Sequence, residues 1–436
     1  MLCLIQFFDE WLDFRIPELK ALLAMHDLTW EGILRADIAN PEPSEDQHFY
    51  VVELPSLDVV RHICSRAILV KAIYELWSSG PTLQDAIEAT KALSSTFLDP
   101  YLKSEDSWAV NLNTFGRTYT MEQKQNCRMH FKFLDFQGPV NVVSPAMELC
   151  VTMDYHRYRH ITPATVIADT EDSLVRAVKT DVPTYFGRLL FRGGMKEVLR
   201  VHDLKKRLYL GPTSLDDSLA LILANISGVK RGYLAYDPFV GTASILVALT
   251  QLGAVCSGSD IDPRVLRGEM HAGTTSGDEA DLPTPAPTSA ATEEGGKKKH
   301  VGVAEATAKK GGKAGKGTKR NIFENFKSYG LPLPDLIRMD NHLFDRHIVI
   351  KNSINNTTST TTAAKDVTVG EGYFDVIVTD PPYGIRAGAK KTGKNVPVTY
   401  SIAEERRHDH IPSTQRYPVE EVMLDLLHTA ATSLVL

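Results

Sequence analysis

The chain has 436 residues, 43% of them apolar and 23% charged, enough for two or three domains with real cores. A formal net charge of −6 excludes binding to a polyanion through overall charge, so any nucleic-acid surface has to be local. Cys3, Cys64, Cys127, Cys150 and Cys256 lack metal-ligand spacing, and no apolar run reaches membrane-spanning length.

Residues 1–170 read as one α+β unit. Leu2 to Phe8 is a predicted strand; Asp9 and Glu10 follow it with no basic flank, so the start is not a signal peptide. A soluble, cytoplasmic protein is expected. Asp13 to Glu18 opens a helix, with Pro17 in its first turn and Glu18 at the positive end of the dipole. His48 to Glu53 is a strand, Thr82 heads a second helix, and Trp108 to Leu112 alternates as a half-buried strand. Thr120 and Gln123 have the spacing of a capping box. The unit holds no acid–base pair, nucleophile or metal cluster, so it reads as a binding or positioning domain.

Residues 171–205 read as a connector containing the short apolar element Tyr185 to Leu190. Lys205, Lys206 and Arg207 follow it and read as a solvated charge run able to touch a phosphate backbone.

The second unit covers residues 206–436. Gly211-Pro212-Thr213-Ser214 leads into a helix that Thr213 or Ser214 is expected to cap. Next comes strand, glycine turn and helix: Leu234 to Asp237, Pro238-Phe239-Val240-Gly241-Thr242, then Ser244 onward. The turn is neither a dinucleotide fingerprint nor a phosphate loop, since Ala243 and Ser244 stand where further glycines belong and no Gly-Lys-Ser/Thr follows. Asp237 repels phosphate and suits an ammonium. About twenty residues on, a second strand ends in Asp260-Ile261-Asp262, where a carboxylate reaches a ribose diol; Asp260 is the first choice and Asp262 the second. A third strand ends at Asp340, placed to meet an adenine amino group. Two insertions, about 271–320 and 352–365, are compositionally disordered; the basic half of the first reads as a solvated loop rather than an RNA tail or a nuclear address.

A fourth strand, Tyr373 to Thr379, ends in Asp380-Pro381-Pro382-Tyr383. Two prolines stiffen the turn, Asp380 accepts hydrogen bonds from an exocyclic amine, and Tyr383 offers a face for a base. Four aspartates at successive strand ends of a β/α series match S-adenosylmethionine, with its ammonium, ribose, adenine and sulfonium methyl.

These blocks, with Leu12-Asp13-Phe14-Arg15-Ile16-Pro17-Glu18-Leu19, Lys71 to Trp77 and Tyr185-Phe186-Gly187-Arg188, resemble the catalytic subunit of the tRNA guanine-10 N2-methyltransferase over nearly the whole chain apart from the insertions. The resemblance implies a THUMP-containing RNA-binding region followed by a Rossmann-like class I methyltransferase domain. It also implies tRNA as substrate and a small zinc-binding activator subunit as partner, with no metal held by this chain. The candidate catalytic residues are Asp380, Pro381, Pro382 and Tyr383. The candidate cofactor residues are Thr213, Ser214, Asp237, Pro238, Phe239, Gly241, Thr242, Asp260, Ile261, Asp340 and Asn341. Ala243 replaces a glycine common in the motif, and its added methyl is tolerated if its φ is negative. An end at Leu436 reads as a fragment or truncation that leaves the Asp380 strand at an exposed edge. Other readings are an amino methyltransferase acting on DNA adenine or a protein glutamine, and a non-catalytic RNA-binding protein.

Overall fold

The computed structural model of the chain describes residues 1–35, 37–38, 47–155, 182–211, 214–268, 320–347, 372–383, 388–393 and 413–435. Its N-terminal part is a six-stranded sheet built from β1 (Leu2–Phe7), β2 (Phe49–Glu53), β3 (Val70–Gly80), β4 (Trp108–Phe115), β5 (Met147–Asp154) and β6 (Thr184–Arg192), in the order β2-β1-β3-β6-β5-β4. Neighbours run antiparallel except β4 and β5, which are parallel. Thr82 caps the helix Leu83–Lys91 through Asp85 N, and Thr120 and Gln123 form the expected capping box on Met121–Met129.

β6 lies in the stretch that reads as a connector, yet it is an interior strand paired on both sides. Tyr185 and Phe186 are buried on its two faces. Gly187 is required there, because a Cβ would sit 2.1 Å from the Glu75 carbonyl oxygen. A six-residue apolar run carries no periodicity that separates a central strand from a linker. Residues 156–181 lie outside the described residues.

The second sheet is parallel: β7 (Leu234–Asp237), β8 (Val255–Asp260), β9 (Asp335–Arg338) and β10 (Val376–Ile377), in the order β10-β7-β8-β9. With apolar helices such as Ser244–Gln251 joining its strands, it has a Rossmann-like architecture. The helix Asp217–Ile226 begins later than expected, its cap lying two residues past Ser214. Asp216 caps it, accepting from Ser218 N and Leu219 N, so neither Thr213 nor Ser214 is the cap. The β10 edge is not bare. Phe374 bridges to Leu434 in parallel, and Val435 N donates to Phe374 O at 2.9 Å, because the helix Val419–Ser433 carries the chain back to that edge. A third, two-stranded ribbon pairs β11 (Lys390–Thr392) with β12 (Thr414–Arg416). The insertions, apart from Arg320, lie outside the described residues.

One apolar cluster runs through both large units. Leu19, Leu22 and Leu23 of the helix Arg15–Ala24 share it with Leu221, Ile222, Leu246 and Leu249. Each such side chain contributes roughly 1.5–3 kcal/mol on burial, so the two units are joined by a core rather than by a linker alone. Glu18 does not serve the helix dipole in solvent; it turns inward and accepts from Ile68 N and Leu69 N.

Candidate active site at the carboxyl edge of the parallel sheet

Because β7 to β10 are parallel, their carboxyl ends share one edge, and the four aspartates lie along it. Asp237 ends β7 and is 1% exposed. Its Oδ1 accepts from Phe239 N at 3.0 Å and from Thr379 Oγ1 at 2.7 Å. Burial pushes its carboxyl up to about 7 against those two bonds, and the neighbouring Asp260 and Asp380 charges add to the rise. Among the described residues no lysine or arginine pairs with it.

The turn after β7 closes over Asp260. Gly241, at φ 47°, donates its N–H to Asp260 Oδ2 at 3.0 Å, and Asp262 N donates to Oδ1 at 2.9 Å. Burial raises the Asp260 carboxyl as well. Asp262 faces away into a helix cap and an ion pair with Arg264, so of the two the better-placed carboxylate is Asp260. Thr242 reaches across to Ser214, Oγ1 to Oγ at 2.7 Å, which ties Ser214 to the turn. Pro238, Phe239 and Ile261 line the same edge. Thr213 lies outside the described residues.

Ala243 does not meet the condition of a negative φ. Its φ is +65°, because the turn passes through the left-handed region twice, at Gly241 and again at the residue before the helix Ser244–Gln251. The alanine holds a conformation that favours glycine, at a cost of about 1 kcal/mol or more. Arg207 also departs from a solvated run. It is buried beneath this turn, where Nη1 donates to Ser244 Oγ at 2.6 Å, and burial lowers its pKa.

Asp340 lies two residues past β9, with its carboxylate already engaged. Oδ1 accepts from His342 N at 3.1 Å, while Oδ2 accepts from Thr392 N at 2.5 Å and from the Thr392 hydroxyl. Asn341 beside it is buried. Asp380, by contrast, is exposed and close enough to Asp237 to raise its pKa; partial burial lifts the Asp380 carboxyl too. Pro381 and Pro382 are half-buried, and Tyr383 is 73% exposed, its ring turned to solvent.

Thr379, outside the candidate set, bonds Asp237 from the position directly before Asp380. The signal was present: consecutive side chains alternate along an extended segment, so the residue before Asp380 has to point the other way. Thr392 carried no such signal, since it lies 52 residues from Asp340.

Residues 1–171 match the Tmrp11 THUMP N-terminal domain family. Along 429 residues the chain is 28% identical to the Mus musculus tRNA (guanine(10)-N(2))-methyltransferase TRMT11, covering 98% of this chain and 76% of that protein. The Homo sapiens relative of the same name gives 28% over 430 residues with the same coverages, and the Dictyostelium discoideum one 28% over 447 residues, 99% and 72%. Among solved structures, TrmN from Thermus thermophilus aligns with 88% of this chain and 80% of its own at 14% identity and a TM-score of 0.36.

Proposed function

We propose, from the premise that this chain is a homologue of the tRNA (guanine(10)-N(2))-methyltransferases, that it transfers a methyl group from S-adenosylmethionine to the exocyclic N2 of guanine 10 in tRNA. The observation that carries the site is the gathering of Asp237, Asp260 and the exposed Asp380–Tyr383 turn on one sheet edge.

The donor set fits the cofactor. A buried carboxyl raised to about 7, with no cationic partner among the described residues, is suited to an ammonium, which would favour its ionised form. Asp237 would take the ammonium, Asp260 the ribose diol, and Asp340 and Asn341 the adenine, while Ser214, Pro238, Phe239, Gly241, Thr242 and Ile261 would shape the wall. Bound S-adenosylmethionine supplies an electrophilic methyl on a sulfonium, so the chain needs neither a nucleophile nor a metal of its own.

The remaining work is positioning. Asp380, ionised, accepts hydrogen bonds from the guanine amine at its carboxylate oxygens, holds the nitrogen in one orientation, and would take the one proton that N2 sheds as its bond to the methyl forms, before passing it to solvent. Pro381 and Pro382 restrict the backbone that carries this carboxylate. Tyr383 stacks on the base, which has to leave the helix stack for its amine to meet Asp380. Thr379 keeps the turn registered on Asp237. The six-stranded sheet region, with its THUMP family match, would grip the tRNA.

A small zinc-binding activator subunit and residence in the cytoplasm complete the proposal; the first is supported by the family resemblance, the second by five unpaired cysteines, as in a reducing compartment. No described helix is long and apolar enough to cross a membrane. The test is radiolabelled methyl transfer by the chain with its activator to a tRNA transcript, a DNA duplex and a glutamine peptide in parallel. Label in the tRNA alone supports the proposal. Label in either other acceptor, with none in tRNA, refutes it.

A further inference from the structure

The N-terminal sheet and the parallel sheet are joined by more than apolar packing. A buried polar knot sits between the helices Arg15–Ala24 and Asp217–Ile226. Glu18, 1% exposed, accepts from Ile68 N and Leu69 N at 2.9 Å each and from Asn225 Nδ2 at 2.7 Å. Asn225 is fully buried and uses its whole amide: Nδ2 also donates to Arg66 O at 2.9 Å, and Oδ1 accepts from Arg66 Nε at 2.9 Å. Arg66 then donates Nη2 to Val229 O at 2.5 Å.

Stability alone explains such a knot poorly. Buried ionic groups give little net stabilisation over well-packed apolar side chains of the same size, whereas separating them leaves charges unpaired at high cost. Their effect is to forbid alternatives. The surrounding surfaces carry Leu19, Leu22, Leu23, Leu221 and Ile222, and aliphatic ridges of this kind can interdigitate in more than one register. Only one register closes the Glu18–Asn225–Arg66 contacts.

A second contact lies at the other end of the same helix. Trp11 Nε1 donates to Ser218 Oγ at 3.1 Å, and Trp11 holds a left-handed conformation, φ 48° and ψ 51°, that an aromatic residue rarely adopts. Ser218 also bonds the helix cap Asp216, and two residues before that cap is Ser214, bonded to Thr242 in the cofactor turn. One contact near each end of a ten-residue helix fixes its rotation as well as its translation.

We propose that this two-point joint is a positioning device: Asn225 with Glu18 and Arg66 at one end, and Ser218 with Trp11 at the other, hold the N-terminal region at one attitude to the Asp380 turn and so select which guanine of a bound tRNA reaches it. The selection rests on the tRNA reading above; the fixed attitude does not.

The test uses the full chain with its activator. The native cysteines are all buried, so spin labels on Glu122→Cys and Val255→Cys, both exposed sites, report the distance between the two units. The triple variant Glu18→Leu, Arg66→Met, Asn225→Leu replaces the knot with apolar volume. The proposal expects a broadened distance distribution and unchanged S-adenosylmethionine affinity, with kcat at guanine 10 of a tRNA transcript falling about 10- to 100-fold and part of the product moving to other guanines. A narrow, unchanged distribution, or a broadened one with kcat and site unchanged, overturns it. Should the triple variant not fold, Arg66→Lys decides. It keeps the charge but cannot reach Asn225 and Val229 together, so the same broadening and the same kcat loss are expected, and their absence overturns the proposal. If the parent chain methylates no tRNA, the functional reading fails, and the label distances alone decide whether the joint fixes the attitude.

Discussion

Thr379 donates its hydroxyl hydrogen to Asp237 Oδ1 over 2.7 Å, tying the segment that precedes the Asp380 turn to the buried carboxylate at the carboxyl end of β7. The two residues are 142 positions apart, and their bond places the proposed acceptor pocket beside the proposed ammonium site.

Asp237 gives the first prediction. Its folded-state carboxyl keeps its proton up to about pH 7, whereas the unfolded chain releases it near the ordinary value of 3.8. The stability this group contributes is therefore full below about pH 3.8 and lost as pH rises through about 7. Asp237→Asn keeps an acceptor for Phe239 N and Thr379 and removes that loss. The variant should melt higher than the parent at pH 8 without cofactor, with the difference vanishing toward pH 4, while S-adenosylmethionine affinity measured by calorimetry falls. A variant less stable than the parent at pH 8 would contradict the assigned burial.

Ala243 gives the second. At φ +65° a glycine is unstrained, so Ala243→Gly should raise unfolding free energy by about 1 kcal/mol, read from urea melts. A loss of stability would mean that the alanine methyl contributes more to packing than its backbone costs.

The third concerns Gly187. An added Cβ meets the Glu75 carbonyl at 2.1 Å, which forces β6 off β3. Gly187→Ala should cost about 1–3 kcal/mol of stability. It should also disturb the Arg188–Glu75 ion pair one residue away. Parent-like denaturation would show that the strand accommodates the methyl by a small shift.

The physical reasons for what the sequence disclosed lie in its local signals. Short strand-like segments closing in Asp marked β7, β8 and β10 and the edge they share, the last of them through its β-branched run Val376 to Thr379, because strand period and turn chemistry are encoded within a few residues. Pairings between distant residues were not legible. Asn225 and Glu18 are 207 positions apart, and a lone Asn on an apolar helix reads as a weak helix former until its partners are in place. Asp216, Ser214 and Thr213 are all acceptable caps within four positions, so the backbone rather than residue preference decided among them. The sign of φ at Ala243 was not legible either: the turn enters the left-handed region at Gly241 and again at Ala243, a conformation that alanine itself disfavours.

Tyr383 gives the fourth prediction. Its ring is exposed and its loss should leave melting unchanged. Stacking of one base on an aromatic ring is worth about 1–3 kcal/mol, so Tyr383→Ala should lower kcat/KM for tRNA by about 5- to 150-fold, while Tyr383→Phe stays near the parent. Equal losses in both variants would point to the hydroxyl rather than the ring.

The central claim, that the Asp380 turn presents a guanine amine for methylation, is tested most directly by nucleoside mass spectrometry of unmodified tRNA incubated with the chain, its activator subunit and S-adenosylmethionine. The account predicts N2-methylguanosine from the parent and none from Asp380→Ala, with S-adenosylmethionine affinity of the variant intact. N2-methylguanosine formed at the parent rate by Asp380→Ala would contradict it.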